Sequence, residues 1–334
     1  MAETREMPEP AAAPETDGSV ERGRVLVTGG TGFVGGYVVR ELVARGYEPV
    51  CLARDPSRVG HKLPPEMRDR ARAVRGDILD FDALTRAAEG CAAAIHLVGI
   101  IEEKPVVGQT FERMHTTATA AVVDACEAVG VRRYIHMSAL GTRPDAVSRY
   151  HQTKWEAEEI VRGSELDWTI FRPSLIHGPD GEFMRMMKFF CTSRVRQPVM
   201  PYFGSGNTLI QPISVRDVAT IFVRALTLPA TIRQTYELGG PERFTWKELY
   251  DVCALAIIGR TRRKVSVPVP LARLAARTIV PLLPRVLVPY KFNVAQVQMS
   301  QEDSICNAGQ IEEVFGLRLR DLRSDLAQYA ELIE

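Results

Sequence analysis

The amino-acid sequence predicts an α/β fold class, with a doubly wound parallel sheet and a smaller C-terminal α/β subdomain. Strand-like apolar runs alternate with helix-like runs over the first 180 residues, which is typical of parallel sheets with crossover helices. A glycine-rich turn also lies between the first strand-like run and the first helix-like run. The six predicted strands cover residues 24–27, 48–53, 71–74, 92–98, 131–137 and 167–171.

The glycine turn at residues 28–35 reads TGGTGFVG and predicts a Rossmann-type dinucleotide loop. Gly29 permits a tight turn, Gly32 lets a pyrophosphate approach the backbone, and Gly35 lets the helix pack closely on its strand. The helix predicted over 36–45 offers free N–H groups and a partial positive charge at its N-terminus. We therefore expect a cofactor to contact Gly29, Thr31, Gly32, Phe33, Val34 and Gly35.

The residues after the second predicted strand bear on the choice between NADP(H) and NAD(H). A carboxylate at this place selects a free ribose 2′-hydroxyl, whereas an arginine accommodates a 2′-phosphate. Arg54 occupies the place, and Arg58 could add a second cation. Asp55 could reach the ribose, although the neighbouring Pro56 favours a turn role for it. The sequence therefore favours NADP(H) over NAD(H), with solvated arginines that bind no ligand as the alternative.

Further candidates follow the later strands, because ligands of such sheets lie beyond the carboxyl ends of the strands. Asp77 could accept a hydrogen bond from an adenine amino group. The residues that we place beside it at this edge are Ile78, Leu97, Gly99, Ser138, Arg172 and Pro173.

Tyr150 and Lys154 are four residues apart in a helix predicted over 148–162, and therefore lie on one helix face. A nearby ammonium stabilises a phenolate and lowers the tyrosine pKa, so that the phenol can transfer a proton near neutral pH. The same lysine could hydrogen-bond a nicotinamide ribose. Downstream of a dinucleotide loop, and one strand after Ser138, this spacing predicts a catalytic set of Tyr150, Lys154 and Ser138.

These motifs resemble the short-chain dehydrogenase/reductase superfamily, in its extended, epimerase/dehydratase-like form, over residues 24–240. They are TGGTGFVG at 28–35, AIHLVG at 94–99, Tyr150 with Lys154, RPS at 172–174, GP at 178–179 and ISVRDVA at 213–219. The resemblance implies a nicotinamide cofactor and carbonyl reduction or epimerisation. Two positions depart from the family. The catalytic serine could fall on Ala139 rather than Ser138, and His115 replaces a helix asparagine that supports a proton-relay water. His115 could relay protons itself or simply be packed.

A glycine loop and a Tyr–Lys pair with these departures resemble an atypical subgroup of the superfamily. It contains the nucleotide-binding accessory subunit of mitochondrial complex I and its bacterial relatives, and YIHMSALG at 134–141 carries the resemblance. The resemblance implies an NADPH that can be structural rather than turned over. Two functions stay open: an NAD(P)-dependent enzyme with a small-molecule or nucleotide-linked substrate, or a non-catalytic accessory protein of a respiratory assembly.

Composition and charge narrow the remaining possibilities. The hydrophobic content of 46% and charged content of 25% are ordinary for a globular protein, and a formal charge of +1 does not favour a nucleic-acid partner. Six scattered cysteines without a CxxC pair predict no metal site and no disulfide framework. No apolar run is long enough to span a membrane, so a cytoplasmic protein is expected.

The predicted domain organisation has three parts. Residues 1–20, rich in Pro, Ala and Glu, predict a disordered tail. The NAD(P)-binding core is expected over 21–180, with a return of the chain near 208–240. A mainly helical substrate subdomain is expected over 181–334, including a helix over 311–333.

Residues 265–290 have the most unusual composition in the chain. An apolar helical stripe lies apart from Arg273 and Arg277, while three prolines prevent a continuous membrane helix. The stripe consists of Leu271, Leu274, Ala275, Thr278 and Ile279. The segment predicts either a helix pair that caps the subdomain, or peripheral docking on a membrane or respiratory partner. The oligomeric state is not predicted.

Overall fold

The computed structural model describes residues 22–61, 63, 65–193, 198–284 and 290–333. The predicted tail over 1–20 and part of the 265–290 segment lie outside the described residues. The described strands are β1 (Arg22–Thr28), β2 (Tyr47–Ala53), β3 (Arg72–Arg75), β4 (Cys91–His96), β5 (Arg133–Met137), β6 (Asp167–Pro173), β7 (Ile176–His177), β8 (Met200–Phe203), β9 (Leu209–Ile210), β10 (Ile213–Ser214), β11 (Gln234–Leu238), β12 (Phe244–Thr245) and β13 (Lys264–Val267).

The described helices alternate with these strands in the first half of the chain. They are α1 (Phe33–Ala44), α2 (Ser57–His61), α3 (Phe81–Ala88), α4 (Ala118–Ala128), α5 (Arg149–Gly163), α6 (Glu182–Thr192), α7 (Val215–Ala225), α8 (Trp246–Ile258), α9 (Val269–Thr278), α10 (Val294–Met299), α11 (Ala308–Phe315) and α12 (Leu322–Tyr329). A π-helical turn, Glu112–Thr117, leads directly into α4.

Seven of the described strands form the central sheet, in the order β11-β6-β5-β4-β1-β2-β3. Every neighbouring pair is parallel. The chain runs outward from β1 through β2 and β3, and then crosses back to β4 on the other side of β1. The carboxyl ends of β1 and β4 therefore flank the switch point at which such sheets bind ligands. The predicted doubly wound parallel sheet is confirmed.

Both faces of the sheet are covered by helices, which explains why its strands are nearly continuous apolar runs. On one face α1, α7 and α11 bury a core that includes Val38, Leu42 and Phe222. On the other face α3, α4 and α5 bury a core that includes Leu84, Val122 and Val161. A third cluster joins α6, α8 and α12 beyond the sheet. Residues after 181 thus contribute both to this separate cluster and to the sheet.

The single helix predicted over 311–333 is wrong. The chain forms α11 and α12 instead, because Gly316 ends α11 in the left-handed region with φ +57°. Asp321 then caps the new helix by accepting a hydrogen bond from the Ser324 N–H at 2.9 Å. A glycine inside an amphipathic pattern is compatible with either outcome, and here it ends the helix.

The predicted apolar stripe of 265–290 does not lie against the protein. Ala272 and Ala276 are the buried residues of α9, while Leu271, Leu274 and Ile279 are exposed. A helix pair that buries the stripe is therefore not formed within the described part of this segment. Among the residues that the structure describes, no helix is long and apolar enough to cross a membrane.

Candidate cofactor and active site

The turn after β1 has a backbone geometry that only glycine supplies. Gly29 adopts φ +79°, and the Gly32 N–H donates to the Gly29 carbonyl oxygen at 2.9 Å. A Cβ on Gly35 would lie 2.1 Å from the Gly29 oxygen and 2.7 Å from the Gly30 Cα. The first turn of α1 therefore packs directly on the loop, as predicted.

The N-terminus of α1 fits the pyrophosphate of a dinucleotide. Gly32 occupies the N-cap position, and within the described chain no side chain caps this helix and no acidic residue lies in its first turn. Its first N–H groups are therefore available to an anion. The Phe33 ring packs towards Gly178 and Gly181 instead, where an added Cβ would approach it within 3.1 and 2.9 Å. Phe33 can thus offer only its backbone to the cofactor.

The carboxyl ends of β2 and β3 place arginines at the expected adenosine end. Arg54 is exposed and makes no hydrogen bond or ion pair with any described residue. The Asp55 carboxylate accepts hydrogen bonds from the Ser57 N–H and hydroxyl at 3.1 and 2.7 Å, which hold its pKa below the ordinary value. Asp55 therefore has the turn role. Arg75, which sequence reasoning missed, ends β3 opposite Ala53 and also lowers the Asp55 pKa, as Arg58 does.

Asp77, Ile78 and Leu97 lie beyond the ends of β3 and β4. One oxygen of the exposed Asp77 carboxylate accepts from the Leu79 N–H at 3.0 Å, which forms the turn before α3. Ile78 packs on the core under α3 and α4. The Leu97 N–H donates to the Thr28 carbonyl at 3.1 Å, so that the strand ends at the switch point are joined.

Lys154 is the centre of the second half of the site. Its buried ammonium donates to the Met137 carbonyl at 3.0 Å, at the end of β5. A Cβ on Gly99 would lie 2.9 Å from the Lys154 Nζ and 3.6 Å from the His115 Nε2. Burial lowers the pKa of Lys154 to about 8, although Glu158 opposes this shift. The fold thus brings Gly99, His115 and Lys154 together, from three segments distant in sequence.

Tyr150 lies one turn before Lys154 on α5. Its ring contacts His115 edge to face, with ring centroids 5.3 Å apart, and contacts Phe111 in the same way at 5.8 Å. Burial raises the pKa of Tyr150 to about 12. The expected lowering of this pKa by Lys154 is not found in this structure, because desolvation of the phenolate dominates and the ammonium bonds a carbonyl.

Ser138 is buried, and its hydroxyl pairs with the Thr142 hydroxyl at 3.4 Å. Sequence reasoning missed Thr142, which could have been found only from its position four residues after Ser138 in a tight loop. The loop is held against β6, since the Ser138 and Leu140 N–H groups donate to the Phe171 and Pro173 carbonyls at 2.7 and 2.9 Å. Pro173 therefore lies at the same edge, as predicted, with its carbonyl committed to this loop.

His115 uses both ring nitrogens in packing. The Nδ1 pairs with the Thr153 hydroxyl at 2.8 Å, and that hydroxyl also lies 3.0 and 3.1 Å from the carbonyl oxygens of Arg149 and Tyr150. The Nε2 pairs with the Ile100 backbone, 3.1 Å from both its amide nitrogen and its carbonyl oxygen. Burial, assisted by Lys154, lowers the pKa of His115 to about 2. These contacts fix a neutral ring within the π-helical turn and support the packed alternative rather than a proton relay.

Arg172 is bound to α5 and not to Lys154 or Tyr150. Its guanidinium binds the buried Glu158 carboxylate through two hydrogen bonds of 2.8 and 2.6 Å, and Arg162 adds a third at 2.6 Å. Both arginines also lie over the Trp155 ring, at 5.8 and 4.9 Å from its centroid. Because Glu158 follows Lys154 by one turn, this clamp fixes α5 against β6 and so positions the lysine.

The comparisons with known proteins agree with this geometry. Residues 29–229 match the family described as NAD(P)H-binding. A ceramide reductase of Caulobacter vibrioides is 32% identical over 254 residues, which are 75% of each chain. The mitochondrial NADH dehydrogenase [ubiquinone] 1 alpha subcomplex subunit 9 of Arabidopsis thaliana is 31% identical over 75% of this chain and 61% of its own, so the match spans less than two thirds of that subunit.

Solved structures extend the likeness to nearly the whole chain. The NADPH-dependent quinone oxidoreductase QOR2 of Escherichia coli, complexed with NADPH, aligns with a TM-score of 0.70 at 17% identity, over 91% of this chain and 99% of its own. At this identity the likeness shows the fold alone. The predicted resemblance to the complex I accessory subunit and its bacterial relatives is confirmed by the sequence matches. The chain belongs to the NAD(P)H-binding family.

Proposed function

We propose that this protein is an NADPH-preferring carbonyl reductase, with epimerisation as the related alternative for the same residues. One observation carries the proposal: the buried Lys154 ammonium lies one helical turn from Tyr150 and directly beside Gly99, at the switch-point edge of the sheet. A buried ammonium with a lowered pKa, one helical turn from a phenol at the ligand-binding edge of a parallel sheet, is typical of an acid–base site.

In this proposal the residues at the glycine loop and strand ends bind the cofactor, and Tyr150, Lys154 and Ser138 act on the substrate carbonyl. When bound, the nicotinamide would supply a hydride to the substrate carbonyl carbon. Tyr150 would donate its phenolic proton to the carbonyl oxygen, and Lys154 would stabilise the resulting phenolate and hold the ribose. Ser138 would donate a hydrogen bond to that oxygen after turning from Thr142. The cofactor would be held by Gly29, Thr31, Gly32, Phe33, Val34, Gly35, Arg54, Asp77, Ile78, Leu97, Gly99, Lys154 and Pro173.

The preference for NADPH rests on charge at the adenosine end. Arg54, Arg58 and Arg75 surround the end of β2, while the Asp55 carboxylate is occupied by its turn. A 2′-phosphate would therefore meet guanidinium groups, which bind phosphate well. We expect Arg54→Ala and Arg75→Ala each to weaken NADPH binding by roughly tenfold with little effect on NADH. Fluorescence titration measures the NADPH and NADH affinities, and Arg70→Ala, at an exposed arginine, is the control.

Turnover tests the catalytic part of the proposal. Tyr150→Phe should keep NADPH affinity within about twofold and lower turnover by at least about a hundredfold, since the proton donor is lost. Tyr236→Phe, on β11 away from the cleft, is the matched control for the loss of a buried hydroxyl. Unchanged turnover in Tyr150→Phe would refute the assignment.

The second candidate function is a non-catalytic accessory protein that holds NADPH. Three features favour it: the Ser138 hydroxyl is paired with Thr142, Ala139 offers no side-chain oxygen, and Lys154 bonds the Met137 carbonyl. The plant relative, a subunit named for mitochondrial NADH dehydrogenase, suggests a respiratory or membrane assembly as the partner, reached through residues 265–290. NADPH retained through purification, with no hydride transfer to a panel of carbonyl and sugar-nucleotide substrates, would favour this function.

The bacterial relative suggests the class of substrate for an active enzyme. It is named a ceramide reductase, and a ceramide is a two-chain lipid. We therefore propose a carbonyl on an amphiphilic lipid as the first substrate class to assay. A cytoplasmic protein that associates peripherally with a membrane would meet such a substrate.

A further inference from the structure

Exposed apolar side chains are concentrated on one part of the surface. Among the described residues, twelve large hydrophobic side chains are exposed, and eight of them lie in three segments near the candidate site. We call these eight the apolar rim. It consists of Ile101, Val106, Val107, Val147, Leu271, Leu274, Ile279 and Leu282. Single exposed leucines need no explanation, but a concentration of this kind marks an interaction surface.

The first segment of the apolar rim is a loop that begins and ends at the site. It starts at Gly99, beside Lys154, and returns at Phe111, whose ring contacts Tyr150. The Glu103 carboxylate accepts from the Phe111 N–H at 2.8 Å, which closes the base of the loop. Val106 in this loop is fully exposed. Both ends of the loop therefore lie beside Tyr150 and Lys154.

The other two segments are tied to this loop by the residues around α10. The Asn293 side chain donates to the Ile101 carbonyl at 2.6 Å, and the Gln298 side chain donates to the Val147 carbonyl at 3.4 Å. α10 itself packs against α9, which carries Leu271 and Leu274. The segment around α10 thus holds the loop at 99–111, the loop before α5 and α9 next to one another.

The charge around α9 is strongly one-sided. Residues 252–301 contain eight Lys or Arg and no Asp or Glu, whereas the whole chain has a formal charge of +1. The remaining residues therefore carry −7, from +1 minus +8. Arg285 is one of the eight and lies outside the described residues, Lys264 pairs with Asp251, and Arg262 donates to backbone carbonyls. The remaining cations are Arg260, Arg263, Arg273, Arg277 and Lys291. An apolar helix face within a basic segment is the pattern that binds surfaces of anionic lipid.

We propose that the apolar rim docks on an anionic lipid bilayer and opens the candidate site towards it. The complementary charge selects the bilayer over a second copy of this chain, whose corresponding segment would carry the same +8. Insertion of the exposed leucines and valines would place the loop at 99–111, whose ends lie beside Tyr150 and Lys154, at the interface, so that a lipid substrate reaches the site without crossing water. This inference rests on the proposed function only for the direction of substrate access.

Vesicle flotation with the full chain tests the docking. We expect binding to vesicles that contain phosphatidylglycerol and weak binding to phosphatidylcholine alone, with a decrease at high salt. The double variant Leu274→Ser/Leu282→Ser should lower binding by roughly tenfold or more, because these side chains are 59% and 84% exposed and touch little of the fold. Leu332→Ser, at 67% exposure in the C-terminal turn and outside the apolar rim as defined here, is the matched control and should bind as the parent does.

The possible outcomes separate this proposal from its competitors. Failure of the parent chain to bind any vesicle overturns it, as does equal binding by the double variant. Concentration-dependent dimers in ultracentrifugation that vanish in the double variant, without vesicle binding, would assign the rim to a contact between copies. NADPH titration of the same variants should be unchanged, so that a failure of docking is distinguishable from a failure of cofactor binding.

Discussion

Replacement of Lys154 by methionine should stabilise the protein while it destroys the site. The folded protein holds this ammonium with a pKa of about 8 rather than the ordinary 10.5, because burial removes its hydration. At 1.36 kcal/mol for each pKa unit, the buried charge costs roughly 3 kcal/mol at pH 7. Methionine has a similar length and no charge. It leaves the Met137 carbonyl without its hydrogen-bond donor, however, and this loss destabilises the variant by about 1–2 kcal/mol. The expected net gain is about 1–2 kcal/mol.

The pH dependence gives the sign of this effect. Between pH 8 and 10.5 the unfolded chain binds more protons at Lys154 than the folded chain, so the stability of the parent rises with pH in this window. Below about pH 8 the cost is fully present. The advantage of Lys154→Met should therefore be largest at pH 7, where melting should rise by about 2–4 °C. It should disappear near pH 9, and at pH 10 the variant should be less stable than the parent by about 1 kcal/mol, because only the lost hydrogen bond then remains.

Thermal melts at both pH values, and an NADPH titration, measure these effects. We expect NADPH affinity to fall by at least about tenfold, since the variant cannot hold the ribose. Lys247→Met, on a partly exposed residue of α8, is the control and should change neither quantity. A lower melting temperature at pH 7, or a gain of equal size at pH 10, would show that the buried charge does not carry this cost.

Three further predictions follow from single contacts. Gly35→Ala should abolish NADPH binding, because its Cβ would lie 2.1 Å from a backbone oxygen, whereas Gly163→Ala, with no atom within 4 Å, should bind normally in the same titration. Glu158→Gln should lower the free energy of unfolding by about 3–5 kcal/mol in denaturant melts, since it breaks the buried ion pair with Arg172. The half-exposed neighbour Glu159 is the control, and Glu159→Gln should change this free energy by less than about 0.5 kcal/mol. His115→Phe should destabilise the protein but leave the pH profile of NADPH binding between pH 5 and 9 unchanged, because burial already keeps the imidazole neutral. An altered pH profile would instead support a proton-relay role for His115.

The elements that the sequence predicted well are those with a local cause. The glycine loop needs a positive φ at Gly29 and no Cβ at Gly35, and both requirements act within eight residues. The same holds for the alternation of strands and helices and for the common face of Tyr150 and Lys154. The end of α11 at Gly316 was missed because a glycine in a helical pattern is locally compatible with continuation.

The identity of this chain as a dinucleotide-binding α/β protein was thus determined by the sequence alone, because backbone conformation and periodicity are properties of short segments. The tertiary structure alone decided what each polar side chain contacts. Lys154 bonds the Met137 carbonyl, Arg172 binds Glu158, and Arg75 ends β3 beside the end of β2, which Arg54 follows. Such partners are set by strand order and burial. Desolvation then raises the pKa of Tyr150 and lowers that of Lys154, which their spacing in the sequence does not encode.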